Sequence, residues 1–561
     1  MISYPRSYPW IGLTLILICF VLLVIREHPT NYFGLTADDA VYFSSAKALG
    51  QGKGYVLANL PGTPPATKYP ILYSWILSWV WRLNGSFPAN LTDATAITVV
   101  FGLAFITLSF VFLRGLRGIN GAESLLITAF CAFHPRIIFF SGSIMSDIPF
   151  AAMALAAMLL ADRAMRPQAK GTMACSSGIL AVLSMLTRLT GIAVVAGILV
   201  TAIARRAWRP LFFFCGCVTP FFAVMVWRLI HTSKSQVSAV YGNVYASSLG
   251  WTRMWAYYTS YTQYWRLSVP SGSIFWAMLW NNMNQIVYGI SDYFLSPLLV
   301  GDAPASRALS TIVTAAIVVG LVRQARRQEV KCAYYVLPFS IAVIALWNYP
   351  ITERNLLLFL PLFSAGLWIE VKHVFGMLRT VFVVKASTSK RALAGSIGVC
   401  ILALGGGVAW NYLAGTRTIM AGMGADRVAL LDEKRQVYDW ITQFTPPSSR
   451  IIAYEDASVY LYTGRMSMPP IVFTTAELYE PARLDQTLDH LFDVAGAIRA
   501  DYWLVSDDDF DREWPLAAQK AHERMAELGR NLPLAFRSRG GRVSIYSLEC
   551  MKARSDPTCR Q

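Results

Sequence analysis

The chain is 561 residues long, 55% hydrophobic and only 15% charged, which is too apolar for an ordinary soluble enzyme. Its 17 Trp and 26 Tyr suit the interfacial belts of a polytopic membrane protein. The formal net charge of +16 does not point to nucleic acid, because the basic residues fall in short clusters between apolar runs, the pattern that orients membrane spans.

A hydrocarbon core about 30 Å thick needs roughly 20 apolar residues of helix. Such runs occur near 10–26, 94–113, 122–140, 148–164, 172–187, 190–204, 210–230, 306–323, 332–346, 354–370 and 393–413, about 11 transmembrane helices. Arg6 precedes the first, and "VIREHPT" after it is no small-residue cleavage site, so it reads as a retained anchor with the amino terminus inside. The clusters "RGLRG" (114–118), "DRAMRPQAK" (162–170), "ARRAWR" (204–209), "RQARRQEVK" (323–331) and the stretch Lys372 to Arg391 then all fall on the cytoplasmic side. The short, Trp-rich "YPILYSWILSWVWRL" (69–83) would flip the later clusters outward if it crossed. It is therefore expected to lie in, or dip into, the outer interface. Residues 231–300 form a second long external segment, rich in Tyr and Trp, with no clear internal pattern.

Residues 1–413 hold 31 Lys plus Arg against 12 Asp plus Glu, and residues 414–561 hold 18 against 21, so the two parts are built for different solvents. The second part reads as an extracytoplasmic α/β domain: helix over 428–444, strand over 450–456, strand over 470–474, helix over 482–500, strand over 501–506, and a closing hairpin over 532–548 turning at Gly540 and Gly541. Cys19, Cys131, Cys175, Cys215, Cys217, Cys332 and Cys400 lie in or beside apolar runs without CxxC spacing, and the histidines are scattered, so neither set reads as a metal site. Cys550 and Cys559 stand in the tail, where a disulfide and two separate thiols are both open.

With sides assigned, Asp162, Glu329 and Glu370 fall in inner loops and Glu123 near the inner face, beside basic neighbours. Glu27, Asp38, Asp39, Asp93, Asp147, Asp292, Asp302 and Glu353 belong to the outer face. Asp38 and Asp39 open "DDAVYFSSAKAL", where Asp38 could cap a short helix. Capping does not account for two adjacent carboxylates, since like charges raise one another's pKa unless a cation compensates. Asp147 stands at a helix start before Pro149, where capping is the ordinary reading. Lys68, Arg188 and Arg354 each sit at an outer boundary, where snorkelling to head groups is the ordinary role of a single cation. Three cations facing two or three carboxylates on one side fit another design: cations can hold a phosphate while a carboxylate takes a proton from a hydroxyl.

"ADDAVYFSSAKALGQGKGY", "TKYPILYSWILSWVWRL" and "ERNLLLFLPL" together resemble three stretches of the GT-C superfamily of membrane glycosyltransferases. The likeness is to the bacterial relatives of protein O-mannosyltransferases and of the aminoarabinose transferase that modifies lipid A. Ile71 stands where the family has a second proline, and Asn355 where it has a tyrosine. The resemblance implies a mainly α GT-C domain over 1–413, whose first outer loop spans 31–93, followed by a soluble α/β domain over 414–561. It also implies an inverting glycosyltransferase of the bacterial inner membrane, with its carboxyl-terminal domain in the periplasm, that moves a hexosyl or pentosyl group from a polyprenyl phosphate to an extracytoplasmic acceptor. Asp38 would be the general base, helped by Asp39; Lys68, Arg354 and Arg188 would bind the donor phosphate; Asp147, Tyr42, Tyr69 and Glu353 would contact sugar or acceptor. Membrane lipids would surround it. The scheme needs no cofactor and leaves a divalent metal open. Neither a Walker-type G-x-x-x-x-G-K-[ST] nor a strand-borne G-x-G-x-x-G is present for a nucleotide sugar. A secondary transporter, which usually binds near the bilayer midplane on broken helices, and a non-catalytic envelope scaffold are the alternatives.

Overall fold

A computed structural model describes residues 8–27, 29–231, 249–295, 304–326, 330–348, 353–383 and 426–548, with a few single residues between 395 and 410. The expected span over 393–413, the domain boundary near 413 and the pair Cys550 and Cys559 lie outside the described residues.

The first half is helical: α1 (Tyr8–Arg26), α2 (Asp38–Gly50), α3 (Ile71–Leu83), α4 (Leu91–Arg114), α5 (Gly121–Ala132), α6 (Pro135–Gly142), α7 (Asp147–Ala164), α8 (Gly171–Thr187), α9 (Ile192–Ala204) and α10 (Trp208–His231). Helices Gly272–Leu295, Pro304–Ala325, Cys332–Ala345 and Leu360–Val383 complete the bundle. Ten of the eleven apolar runs coincide with these helices. Among the described residues, five are long and apolar enough to cross a membrane, or six if α5 and α6, bent by 57°, form one broken span. The bend replaces the single span expected over 122–140. It falls at Pro135, which cannot donate to the preceding turn, and the ring of His134 there accepts from the amide of Arg136.

At 13 residues α3 is too short to cross. It buries Tyr73, Leu77 and Val80 and turns Trp75, Trp79 and Leu83 outward, one apolar face toward the protein and an aromatic one away from it. Helices Pro304–Ala325 and Leu360–Val383 cross where Gly320 meets Gly366, backbone on backbone, with no room for a Cβ at Gly320.

The C-terminal part carries a five-stranded mixed sheet of order β2-β1-β3-β5-β4, formed by β1 (Arg450–Ile452), β2 (Met466–Met468), β3 (Tyr502–Ser506), β4 (Leu534–Arg537) and β5 (Val543–Ser547). β1 pairs in parallel with β2 and β3, and β5 is antiparallel to both β3 and β4. Helix 426–444 covers one face through Leu430, Val437 and Ile441, and Gly541, at φ +79°, turns the closing hairpin. Three expectations need correction. The strand expected over 450–456 ends at Ile452, and Asp456 opens a helix, Asp456–Thr463. Residues 470–474 form no strand, because β2 already occupies the edge beside β1; Ile471, Val472 and Phe473 are buried without strand pairing. The helix expected over 482–500 breaks into Ala482–Asp489 and Asp493–Ile498, and Asp493 turns back to hold the His490 ring at 2.7 Å.

The hydrophobic interior is divided in an unexpected way. One cluster fills the helical bundle. A second joins Phe33, Phe43, Tyr73 and Leu77 of the segment 29–93 to Trp251, Trp255 and Tyr264 of the segment 249–295 and to Ile452, Phe473 and Trp503 of the C-terminal domain. The two segments and the C-terminal domain thus share one core.

Candidate functional site

α2 starts abruptly. Ala37, at its N-cap, has φ 56° and no side-chain cap, a left-handed conformation that costs a residue with a Cβ about 1–2 kcal/mol. What holds it is Asp39, whose Oδ2 accepts the Gly34 amide and whose Oδ1 accepts the Ala40 amide, both at 2.8 Å. The capping expected of Asp38 therefore falls to its neighbour, and the adjacent carboxylates divide their work. Burial pushes the Asp39 carboxyl up to about 6, against those two hydrogen bonds.

Asp38 is free to point elsewhere. Its Oδ1 accepts from the Tyr69 hydroxyl at 2.7 Å and its Oδ2 from Arg354 Nη2 at 3.3 Å. Burial opposes its ionisation, but Arg354, Lys68, the Tyr69 hydroxyl and Arg188 outweigh that and hold the carboxyl below its usual range. Tyr69 packs edge-on against Tyr42, at 5.0 Å between ring centres, and the Tyr42 hydroxyl shares a 2.9 Å hydrogen bond with Ser146. Arg188 pairs with Asp147 at 2.7 Å and donates to Asn355 at 3.4 Å, beside Arg354. Asp147, expected to cap α7, makes no such bond and instead neutralises Arg188. Asp38, Lys68, Tyr69, Tyr42, Asp147, Arg188 and Arg354 are thus brought together. Glu353 opens the 3-10 turn Glu353–Phe359 that delivers Arg354.

Lys68 Nζ lies 3.1 Å from the centre of the Tyr257 ring and 5.2 Å from that of Tyr69. Burial lowers its ammonium to about 7, against the pull of Asp38 and Asp456. Behind it the C-terminal domain supplies groups that the sequence reading missed. Asp456 accepts from Asn59 Nδ2 at 2.6 Å and from the Tyr258 hydroxyl at 2.9 Å, and Glu513 accepts from the Tyr454 hydroxyl at 3.2 Å. Burial raises both carboxyls to about 7. The one signal in the sequence was the density of tyrosines in "WAYYTSYTQYW". Lys68, Arg188 and Arg354, from three separate segments, thus stand beside Asp38 and Asp147 at one junction. Among the described residues no three His, Cys, Asp or Glu side chains form a metal-binding group.

A many-spanning helical membrane protein with an α/β C-terminal domain packed on the segment 29–93, and cations gathered round one acid at that junction, defines a class of architecture. It is the GT-C fold of membrane glycosyltransferases. ArnT from Cupriavidus metallidurans bound to undecaprenyl phosphate has a TM-score of 0.50 to this chain at 15% identity, over 94% of this chain and 97% of that one. The oligosaccharyltransferase of Archaeoglobus fulgidus in its apo form has a TM-score of 0.51 at 12% identity, over 97% and 75%. AglB from the same organism, in complex with an inhibitory peptide and a dolichol-phosphate, has a TM-score of 0.50 at 11% identity, over 97% and 75%. No protein-family model matches the chain, and no curated protein matches it in sequence.

Proposed function

We propose that the protein is an integral membrane glycosyltransferase that moves a sugar from a polyprenyl phosphate to an acceptor hydroxyl on the extracytoplasmic side of a bacterial inner membrane. The observation that carries this reading is the convergence of Lys68, Arg188 and Arg354 on Asp38, from four separate stretches of chain. The known structures of this fold include one that binds undecaprenyl phosphate and one that binds dolichol-phosphate with a peptide, which supports a lipid-phosphate donor and a separate acceptor.

In this mechanism the donor phosphate lies against Lys68 and Arg354, which meet the charge that develops as its bond to the anomeric carbon breaks. The acceptor oxygen attacks from the opposite side, inverting that carbon, and Asp38 receives its proton. Arg354 is shared. While it binds Asp38 the carboxylate is a weak base; a phosphate that draws the guanidinium away raises that basicity only when donor is present. Asp39 acts through the backbone, and Tyr42, Tyr69, Asp147 and Glu353 border sugar or acceptor. The scheme uses no cofactor.

The test is to incubate purified protein with a panel of polyprenyl phosphate sugars and measure transfer or hydrolysis, with Asp38→Asn as the control. Turnover of one donor that falls at least 100-fold in a folded Asp38→Asn variant supports the reading. Full activity in that variant removes Asp38 as the base, and no binding or turnover of any donor removes the donor class.

A further inference from the structure

The C-terminal domain touches the chain just ahead of α2 through a network of paired charges. Lys434, only 1% exposed, pairs with Glu455 at 2.9 Å and with Asp508 at 2.8 Å. Arg427 pairs with Asp508 at 2.9 Å, and Arg512 with Glu455 at 2.9 Å. These five residues come from helix 426–444, the turn after β1 and the turn after β3. A network this saturated fixes its guanidinium groups, because moving one would strand a buried carboxylate.

Both guanidiniums have a donor left over, and each spends it on the first outer loop. Arg427 Nη2 donates to the carbonyl of Phe33 at 3.4 Å, and Arg512 Nη2 to the carbonyl of Gly34 at 3.3 Å. Gly34, at φ +86°, approaches so closely that a Cβ there would stand 3.1 Å from Ser458 Oγ and 3.5 Å from Arg427 Nη2. The amide of the same Gly34 is held by Asp39. The peptide groups on either side of Gly34 are therefore gripped by the C-terminal domain through Arg427 and Arg512 and by α2 through Asp39. Between Gly34 and the first residue of the helix, Asp38, lie only Leu35, Thr36 and the left-handed Ala37.

We propose that the C-terminal domain is a working part of the catalytic site: Arg427 and Arg512 are positioning residues that hold the Phe33 and Gly34 carbonyls and so set the direction in which Asp38 leaves the backbone. The inference rests on the reading of Asp38 as general base. It assigns the domain a role distinct from acceptor recognition. Without the clamp the Ala37 turn relaxes toward ordinary helix or coil geometry and Asp38 loses its aim, while Lys68 and Arg354, carried by other segments, keep theirs. The expected signature is a fall in kcat with an unchanged KM for the donor, since positioning errors at a reacting group act on the chemical step.

The test compares the full-length protein with R512Q and with R427Q/R512Q. Amide hydrogen exchange reads the clamp without any donor. Peptides over residues 30–41 are expected to exchange at least tenfold faster in the double variant, while peptides from β1, β3 and β5 keep wild-type protection. With donor, kcat is expected to fall at least tenfold and KM to stay within twofold. Wild-type exchange over 30–41 in the double variant overturns the clamp, whatever the activity. Faster exchange with unchanged kcat overturns its part in positioning Asp38. If the double variant loses protection throughout 426–548, R512K, which keeps a cation beside Glu455, is measured in its place and the same two readings decide. A wild-type protein that turns over no lipid-linked sugar defeats the functional reading of the previous subsection, while hydrogen exchange still decides the clamp.

Discussion

Replacing Arg253 by methionine should loosen the segment 249–295 from the C-terminal domain, and its cost can be worked from one carboxylate. Glu477 is fully buried and Arg253 is 7% exposed; the two form a close ion pair in which Arg253 also donates to Thr487 Oγ1 at 2.6 Å. Removing one partner of a buried pair costs about 3–5 kcal/mol, because the other charge stays behind without its counterion. Here Glu477 keeps three donors: the Thr474 amide at 2.7 Å, the Thr474 hydroxyl at 2.6 Å and the Thr487 hydroxyl at 2.9 Å. That places the cost at the lower end, about 3 kcal/mol, which for a cooperative unit the size of residues 426–548, at roughly 3–4 °C per kcal/mol, is a fall of about 10 °C in its unfolding midpoint. Trp251 and Trp255, stacked on one another with Arg253 between them in sequence, make tryptophan fluorescence of the solubilised full chain a suitable probe. The double variant R253M/E477Q removes both charges and should recover at least half of the loss. A midpoint within 2 °C of wild type in R253M, or a double variant as unstable as the sum of its singles, would refute the reasoning.

Three further expectations follow from the junction. Lys68 should lose its charge as pH rises through about 7, so kcat/KM for an anionic donor should decline above neutrality, while Lys68→Arg, always charged, should hold its rate to higher pH; parallel profiles would contradict this. Asp508, whose carboxyl is held at about 2 against burial by Lys434 and Arg427, sits below the unfolded value of 3.8. Its contribution is present above about pH 4 and lost as pH falls toward 2, so D508N should be about 2 kcal/mol less stable at neutral pH and lack that acid limb in denaturant titrations. Gly34→Ala puts a Cβ into a left-handed backbone and against Ser458, which should lower the midpoint by several degrees; adding Ser458→Ala should return only the part due to crowding.

The membrane helices were legible because length and apolarity alone mark them. Helix Gly272–Leu295 escaped notice because Asn281, Asn282, Asn284 and Gln285 interrupt its hydropathy; yet Asn282 is buried and donates to the carbonyls of Ala345 and Trp347. The apolar run 470–474 looked like a strand, but a strand needs a free edge, and that is a property of the sheet. Lys68 stood out as a lone charge, and Asp38 and Arg354 as members of the adjacent pairs Asp38–Asp39 and Glu353–Arg354, each beside apolar stretches where a charge requires a reason. Tyr257, Asp456 and Glu513 did not, since a carboxylate or a tyrosine in a polar stretch is unremarked until the fold buries it. The division of labour between Asp38 and Asp39 lay in the backbone, in the turn at Ala37.

Asn59 donates its side chain to Asp456 and accepts the Ser467 amide on its carbonyl, which ties the first hundred residues to the segment 426–548. A ribosome releases the former long before the latter. The membrane half therefore waits, inserted but incomplete, until residues 426–548 emerge and fold onto it, and a chain that stalls early or is clipped within that segment lacks the donors and acceptors that complete the junction. Carried on one polypeptide, the two halves are always present in equal number.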